Sequence, residues 1–204
     1  PSGSSHEGVS FYGALRVASD GCVASEDNTL IINNAHDVVI YIAAATNYSD
    51  NEYRTTVSTA LARCKDYDTM LKRHIEAHRE LFDRVVIDLG TQPDDIATDE
   101  RLERFAAGEE DAPLAALYAQ YGRYLLIASS RKGGQPANLQ GIWCDDYIAP
   151  WSADFHININ IQMNYWFAEV CNLPELVAPF FDLIKMIAKY GERTAQIAYH
   201  CPGW

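Results

Sequence analysis

Between Gln135 and Glu169 the chain reads QPANLQGIWCDDYIAPWSADFHININIQMNYWFAE, and its chemistry-bearing residues fall into two groups. In His156-Ile157-Asn158-Ile159-Asn160 polar and apolar residues alternate, so an extended backbone would put His156, Asn158 and Asn160 on one side. The spacing predicts that the following helix begins at or after Asn158 and that the trio projects into a cavity bounded by the preceding loop. An amide is a poor base, but its carbonyl oxygen can hold a water, which a nearby carboxylate polarises toward base catalysis. The competing reading makes Asn158 and Asn160 helix caps, the commoner fate of Asn. The second group is aromatic: Trp143, Tyr147, Trp151, Phe155, Tyr165 and Trp166, interleaved with amides and carboxylates. Such a mixture suits a sugar, since ring faces cover pyranose C–H groups while Asn, Gln, Asp and His serve its hydroxyls. An aromatic-rich packing loop is the alternative. Glu169 falls on the helical side of Tyr165 and Trp166, placed either for a substrate hydroxyl or for an Arg. Asp145 and Asp146 read as solvated turn residues.

The elements that must position these residues change character along the chain. Residues 1–10 are Ser/Gly-rich and read as frayed. FYGALRV from Phe11, TLIINN after the Gly21 turn, and VVIYIAAAT after Asp37 predict three strands, the trailing edge of a β domain over residues 1–50. Beyond Ser49-Asp50-Asn51, Val57, Leu61, Cys64, Leu71, Ile75, His78 and Phe82 recur at helical spacing, as one helix or two split near Asp66 to Asp68. His74 and His78 stand at i, i+4, a spacing able to hold a metal. With no third ligand in view they read instead as an ordinary helix face. RVVIDLG (Arg84 to Gly90) predicts a short strand closing a linker of residues 51–97.

Residues 98–204 read as helical. Thr98 is expected to cap a helix over Asp99 to Ala107 that stops at Gly108. Asp111 and Pro113 open the next, which Arg131-Lys132-Gly133-Gly134 breaks. A long loop follows, of the kind that is usually functional. Further helices are expected over Asn158 to Val170, from Pro174 through Ala188, and after a break at Gly191 to near Tyr199. Helix pairs joined by alternating short and long loops suggest the first helices of a helical barrel. The fold class expected is therefore mixed β then mainly α.

The net charge of −12 over 204 residues repels phosphate backbones and excludes nucleic acid as the natural partner. No apolar run approaches the roughly 20 residues of a membrane helix. The five cysteines show neither CxxC nor Cys/His metal spacing and read as scattered thiols. There is no glycine-rich phosphate loop and no GxSxG. The chain starts with Pro1 and stops at Trp204 after Pro202-Gly203, and it is read as a segment cut at both ends.

The run PANLQGIW, then PW, HININxQMNYW and AE, resembles the signature of glycoside hydrolase family 95, the inverting 1,2-α-L-fucosidases. The likeness extends to AAATNY, LFDRVVIDLG, TDERL, YGRYLLIASSR, ELVAPFFDLI and the terminal CPGW, essentially the whole chain from Phe11. It implies the end of an N-terminal β-sandwich, a helical linker, and the beginning of an incomplete (α/α)6 barrel. It also implies an inverting cleavage in which a Glu protonates the leaving oxygen while a water attacks from the opposite face.

By that resemblance Asn158 and Asn160 are the amides that hold the water, activated by a distant Asp, and His156 contacts the fucose hydroxyls. Trp143, Trp166 and Glu169 are the further substrate-binding candidates. The acid Glu and the activating Asp belong to positions after Trp204, so the segment alone is expected to be inactive. The expected partner is a fucosylated oligosaccharide or glycoconjugate; no metal or organic cofactor is expected, and the family implies a secreted or extracytoplasmic protein. Cys144 replaces the Asn of the usual GIWND, and Phe167 the Pro of NYWPAE, which bears on aglycone preference more than on reaction type. An α-L-galactosidase of the same family, a non-catalytic carbohydrate-binding relative and a polysaccharide lyase are the alternatives. The lyase would need a Tyr/His pair and a basic groove, against which the charge argues.

Overall fold

The computed structural model describes residues 8–48, 50–91, 93, 95–146 and 148–203. Residues 1–7, Ser49, Tyr147 and Trp204, each part of a reading above, lie outside them. The chain divides into two compact units, Pro1–Ile75 and Glu76–Trp204.

The first unit is an antiparallel ribbon with a helix on it. β1 (Phe11–Ser19) pairs with β4 (Val38–Thr46), and β2 (Cys22–Glu26) pairs with β3 (Thr29–Asn33). Three of these four strands carry the expected period; β2 was not anticipated. CVASE alternates weakly and every residue of β2 is exposed, so burial left no pattern to read. The strand exists because the turn makes it. Asp27 and Asn28 both take left-handed φ, 45° and 63°, the geometry of a two-residue hairpin whose twist matches its strands. Between the two ladders the Asp20 carboxylate accepts from the backbone N–H groups of His36 (2.9 Å) and Asp37 (3.0 Å), holding the strands together where pairing lapses.

α1 (Tyr53–Arg63) packs on β1 and β4, burying Val57 and Leu61. Arg54 lies over the Tyr12 ring at 5.0 Å, and Arg16 over its cross-strand partner Tyr41 at 4.4 Å. Of the one-helix and two-helix readings, the second is realised: α2 (Tyr67–Phe82) starts afresh after Cys64 to Asp66. The Asp66 carboxylate caps it by accepting from the Thr69 N–H and hydroxyl, both at 2.9 Å.

The second unit contains the end of α2, α3 (Thr98–Ala106), α4 (Ala112–Ser129), α5 (Asn160–Tyr165) and α6 (Ala178–Tyr199). Its core joins Leu81, Leu126, Ile127, Ile161, Tyr165, Leu173, Leu176 and Leu183. Arg123, fully buried, closes the end of α2. Its guanidinium donates to the carbonyls of Leu81 (3.1 Å), Phe82 (2.9 Å) and Val85 (3.1 Å), groups the helix terminus leaves open.

Four expectations need correction here. Arg84 to Gly90 forms no strand, and at its start the Val85 carbonyl takes donors from both Gln120 and Arg123 in place of a ladder partner. α3 is capped not by Thr98, which is its first residue, but by Ala97, without a side-chain bond. The helix expected over Asn158 to Val170 is regular only over Asn160–Tyr165. After it the bonds mix spacings of three (Ala168 N to Tyr165 O, Asn172 N to Glu169 O), four (Cys171 N to Phe167 O) and five (Leu173 N to Ala168 O), so no regular α-helix continues. Finally, α6 runs through Gly191 unbroken. A helical glycine costs only about 1 kcal/mol against alanine, less than burial of Leu183 and Ala195 on its two sides returns.

Candidate active site

The connection between α4 and α5 is fastened from below. Ser130 caps α4 in a buried position, and its hydroxyl donates to the Leu176 carbonyl at 2.7 Å. With that proton spent, Ser130 Oγ accepts from the Tyr165 hydroxyl at 2.8 Å, and the Tyr165 oxygen in turn accepts from the Ala137 N–H at 2.8 Å. One ordered file of hydrogen bonds thus ties the end of α4, the start of the loop, α5 and the turn before α6. Burial raises the Tyr165 hydroxyl above the usual tyrosine range, against the opposing effect of its bonds to Ser130 and Ala137. Tyr165, expected among the sugar-facing aromatics, is therefore a core residue, stacked on Phe180 at 5.1 Å.

Above this base the segment Asn138 to Trp143 folds into a tight hairpin. The Gly141 N–H donates to the Asn138 carbonyl at 3.0 Å, Trp143 N–H to the Gln140 carbonyl at 3.0 Å, and Gln140 N–H to Asn138 Oδ1 at 2.8 Å. Gly141 has φ +66°, and a Cβ there would sit 2.9 Å from the Trp143 ring, so glycine is required both for the turn and to seat the indole. Asn164 Nδ2 donates to the carbonyls of Ala137 (3.3 Å) and Asn138 (3.2 Å).

The result is a cleft of about 370 Å³ whose lining includes Ser129, Asn138, Gln140, Trp143, Met163, Asn164 and Phe167. None of its described lining residues is ionisable. A half-exposed indole with amides and a hydroxyl around it suits a neutral polyhydroxylated ligand better than an ion. Trp143 also lies 6.2 Å from Tyr124, which stands 5.8 Å from Tyr121.

The second half of the loop is strained. Trp151, Ser152 and Ala153 are consecutive non-glycine residues with φ of 53°, 57° and 50°, and His156 follows at 47°. Each such residue costs about 1–2 kcal/mol, a cost met by bonds such as Leu139 N–H to the Asp154 carbonyl (3.2 Å) and Gln140 Nε2 to the Pro150 carbonyl (3.1 Å). Trp151 meets His156 edge to face at 5.7 Å.

His156 to Asn160 is a turn, which corrects the extended reading. The His156 carbonyl accepts from the N–H groups of Ile159 (3.4 Å), Asn160 (3.1 Å) and Ile161 (3.4 Å), and Gln162 Nε2 bonds the Ile157 carbonyl at 2.6 Å. α5 then begins at Asn160, as the spacing allowed, with Ile159 at the cap position and no side-chain cap. Among the described residues, neither the Asn158 nor the Asn160 amide makes a side-chain hydrogen bond. The capping alternative is not realised: Asn158 is exposed, Asn160 half-buried, and both amides are uncommitted.

Of the other candidates, Trp143 lines the cleft, while His156, Asn158, Asn160, Trp166 and Glu169 are not among the residues that line it. Trp166 and Glu169 are exposed on the turns after α5. Asn138, Gln140 and Asn164 were not singled out in the sequence, although the amide-rich PANLQG and QMN flanking the aromatics were the available signal. His78 stacks on Phe82 at 5.1 Å and meets Tyr124 edge-on at 6.1 Å, the packed-face alternative for that residue.

Comparison with known proteins draws these features together. The glycosyl hydrolase family 95 catalytic domain matches residues 66–204. The alpha-L-fucosidase 2 of Arabidopsis thaliana is 36% identical over 220 aligned positions, covering 98% of this chain and 26% of that protein. Two proteins named probable alpha-fucosidase A, from Aspergillus niger and Aspergillus oryzae, are 31% and 30% identical, covering 89% and 97% of this chain and 25% and 30% of theirs. The chain thus spans about a quarter of the length of the first curated relatives it matches. With more than half of its residues inside the family's catalytic domain, among them the whole loop from Gln135 and the Asn-bearing turn, this chain belongs to glycosyl hydrolase family 95.

Proposed function

We propose that this chain forms one wall of the active site of a glycoside hydrolase that removes terminal α-1,2-linked L-fucose from oligosaccharides or glycoconjugates with inversion. In this reading the ribbon of the first unit is the end of a β-sandwich, residues 51–97 are a linker, and residues 98–204 begin an (α/α)6 barrel. Asn158 and Asn160 hold the attacking water through their carbonyl oxygens. A carboxylate from outside this chain polarises them, and a second protonates the leaving oxygen from the opposite face. His156, Trp143, Trp166 and Glu169 contact the sugar.

The observation that carries the reading is that, within a segment matching the family's catalytic domain, the Asn158 and Asn160 amides have no bonding partner among the described residues. An Asn with no structural duty is free to bind solvent. The relatives' names supply the sugar.

The test uses a protein of the relatives' full length carrying this chain, with a 2′-fucosylated trisaccharide. Asn160→Gly is expected to lower kcat by orders of magnitude while sugar binding persists, and β-L-fucose is expected as the first product by NMR. Near-normal turnover of the variant, or α-L-fucose appearing first, overturns the mechanism. Preference for an α-L-galactoside would keep the chemistry but change the sugar, a discrimination set by pocket shape at a single hydroxyl.

A further inference from the structure

Asn164 and Tyr165, adjacent on α5, between them take both backbone polar groups of one buried residue in the loop. The Ala137 N–H goes to the Tyr165 hydroxyl and the Ala137 carbonyl to Asn164 Nδ2. The same Asn164 amide also donates to the Asn138 carbonyl, which is already the acceptor that closes the hairpin by taking the Gly141 N–H. The orientation of this amide is dictated by its partners, since turning it over would set its oxygen against two carbonyl oxygens. At the other end of the helix, one turn back along the same face, stands Asn160.

We infer that Asn164 is a positioning residue: through the Asn138 carbonyl it holds the Gly141 turn and so fixes where the Trp143 indole stands relative to the Asn160 end of α5. The route is short and continuous. Asn164 anchors Asn138, Asn138 anchors Gly141, and Gly141 has no side chain to keep the Trp143 ring from lying against its backbone. A six-residue helix thereby serves as a rigid strut, with the water-holding amide at one end and the aromatic platform clamped near the other. The inference deepens the proposed function and rests on it for the role of Trp143; the clamp itself does not.

The experiment separates the two, again in a protein of the relatives' full length. Amide hydrogen exchange is measured for Gly141 and Trp143, with Met163, whose N–H bonds the Ile159 carbonyl inside α5, as the internal reference. In Asn164→Ala, exchange at Gly141 and Trp143 is expected to rise about tenfold or more while Met163 is unchanged. Asn164→Asp, the same shape without the donors, should behave likewise and serves if the alanine variant does not fold. Unchanged exchange at Gly141 and Trp143 in a folded variant overturns the positioning role whatever the enzyme's substrate.

The kinetic arm reads the consequence. Asn164→Ala is expected to raise KM several-fold with kcat kept within about threefold, and to add little when combined with Trp143→Ala, because both remove the same platform. Full additivity, or a loss confined to kcat, also overturns it. A normal KM for Trp143→Ala alone would instead remove Trp143 from the sugar site, leaving exchange to decide the clamp.

Discussion

At the scale of single residues, the molecule separates side chains with structural duties from those without. The Tyr165 hydroxyl has two hydrogen-bonding neighbours, donating to Ser130 and accepting from Ala137, and its ring is stacked, so the hydroxyl is structural. Tyr165→Phe would leave the buried Ala137 N–H without an acceptor, and a loss of about 1–3 kcal/mol is expected in denaturant unfolding. Its pH dependence has a defined sign. The hydroxyl's pKa is raised in the folded state, so its contribution is fully present below the ordinary tyrosine value and is lost as pH rises through the folded one. The stability gap between wild type and Tyr165→Phe should therefore narrow as pH is taken above about 10. Asn158 and Asn160 show the opposite, with amides that hold no partner among the described residues. Spacing picked them out, but only the folded backbone could show that neither acts as a cap, because an Asn favours that role yet takes it only where the backbone, here of Ile159 and His156, allows.

At the scale of elements, α4 is the organising helix of the second unit, and its start was legible. Asp111 at the cap position accepts from the Leu114 N–H at 3.0 Å and takes a two-pronged grip from Arg101, Nε to Oδ2 and Nη2 to Oδ1 at 2.8 Å each. The bonds to Arg101, followed by that to Leu114, hold the Asp111 carboxyl below the usual carboxylate range. A lowered folded value means stabilisation present above the ordinary Asp pKa and lost as pH falls through the folded one. Asp111→Asn should lower Tm by a few degrees near neutral pH, and the difference should close below about pH 4 in a thermal melt series. Arg101 was not anticipated as Asp111's partner, since nothing in the spacing of a charge and a cap says which face each turns to. The expected strand at Arg84 to Gly90 is likewise not realised: β-branched residues made the pattern, but Arg123 and Gln120 hold the Val85 carbonyl in place of a ladder partner.

At the scale of the whole molecule, the described residues leave extended apolar surface. In the second unit, α3 and α4 border a groove of about 640 Å³ lined by Leu102, Phe105, Leu117, Tyr118 and Tyr121, nearly all apolar. In the first, Phe11, Leu15, Ile40 and Ile42 are exposed on one face of the ribbon. Surfaces of that kind drive association. Expressed by itself, the chain is expected to bind a hydrophobic dye and to self-associate, and Leu102→Glu with Tyr118→Glu should reduce both in dye titration and light scattering. Among the described residues no helix is long and apolar enough to cross a membrane.

What the sequence determined by itself was the order of β and then α structure, three of the four strands, the Asp111 start of α4, and the family. Each rests on local chemistry: alternation, helical period, a capping carboxylate, or a long unbroken motif. Tertiary structure alone decided that HININ is a turn, that Tyr165 belongs to the core, that α5 is short, and that Asn138, Gln140, Trp143 and Asn164 share a cleft. Those outcomes depend on which backbone groups meet which side chains across the fold, such as Asn164 with Ala137 and Asn138 or Ser130 with Leu176. Such pairings satisfy buried polar groups only after the chain has packed, and no periodicity in the residues records them.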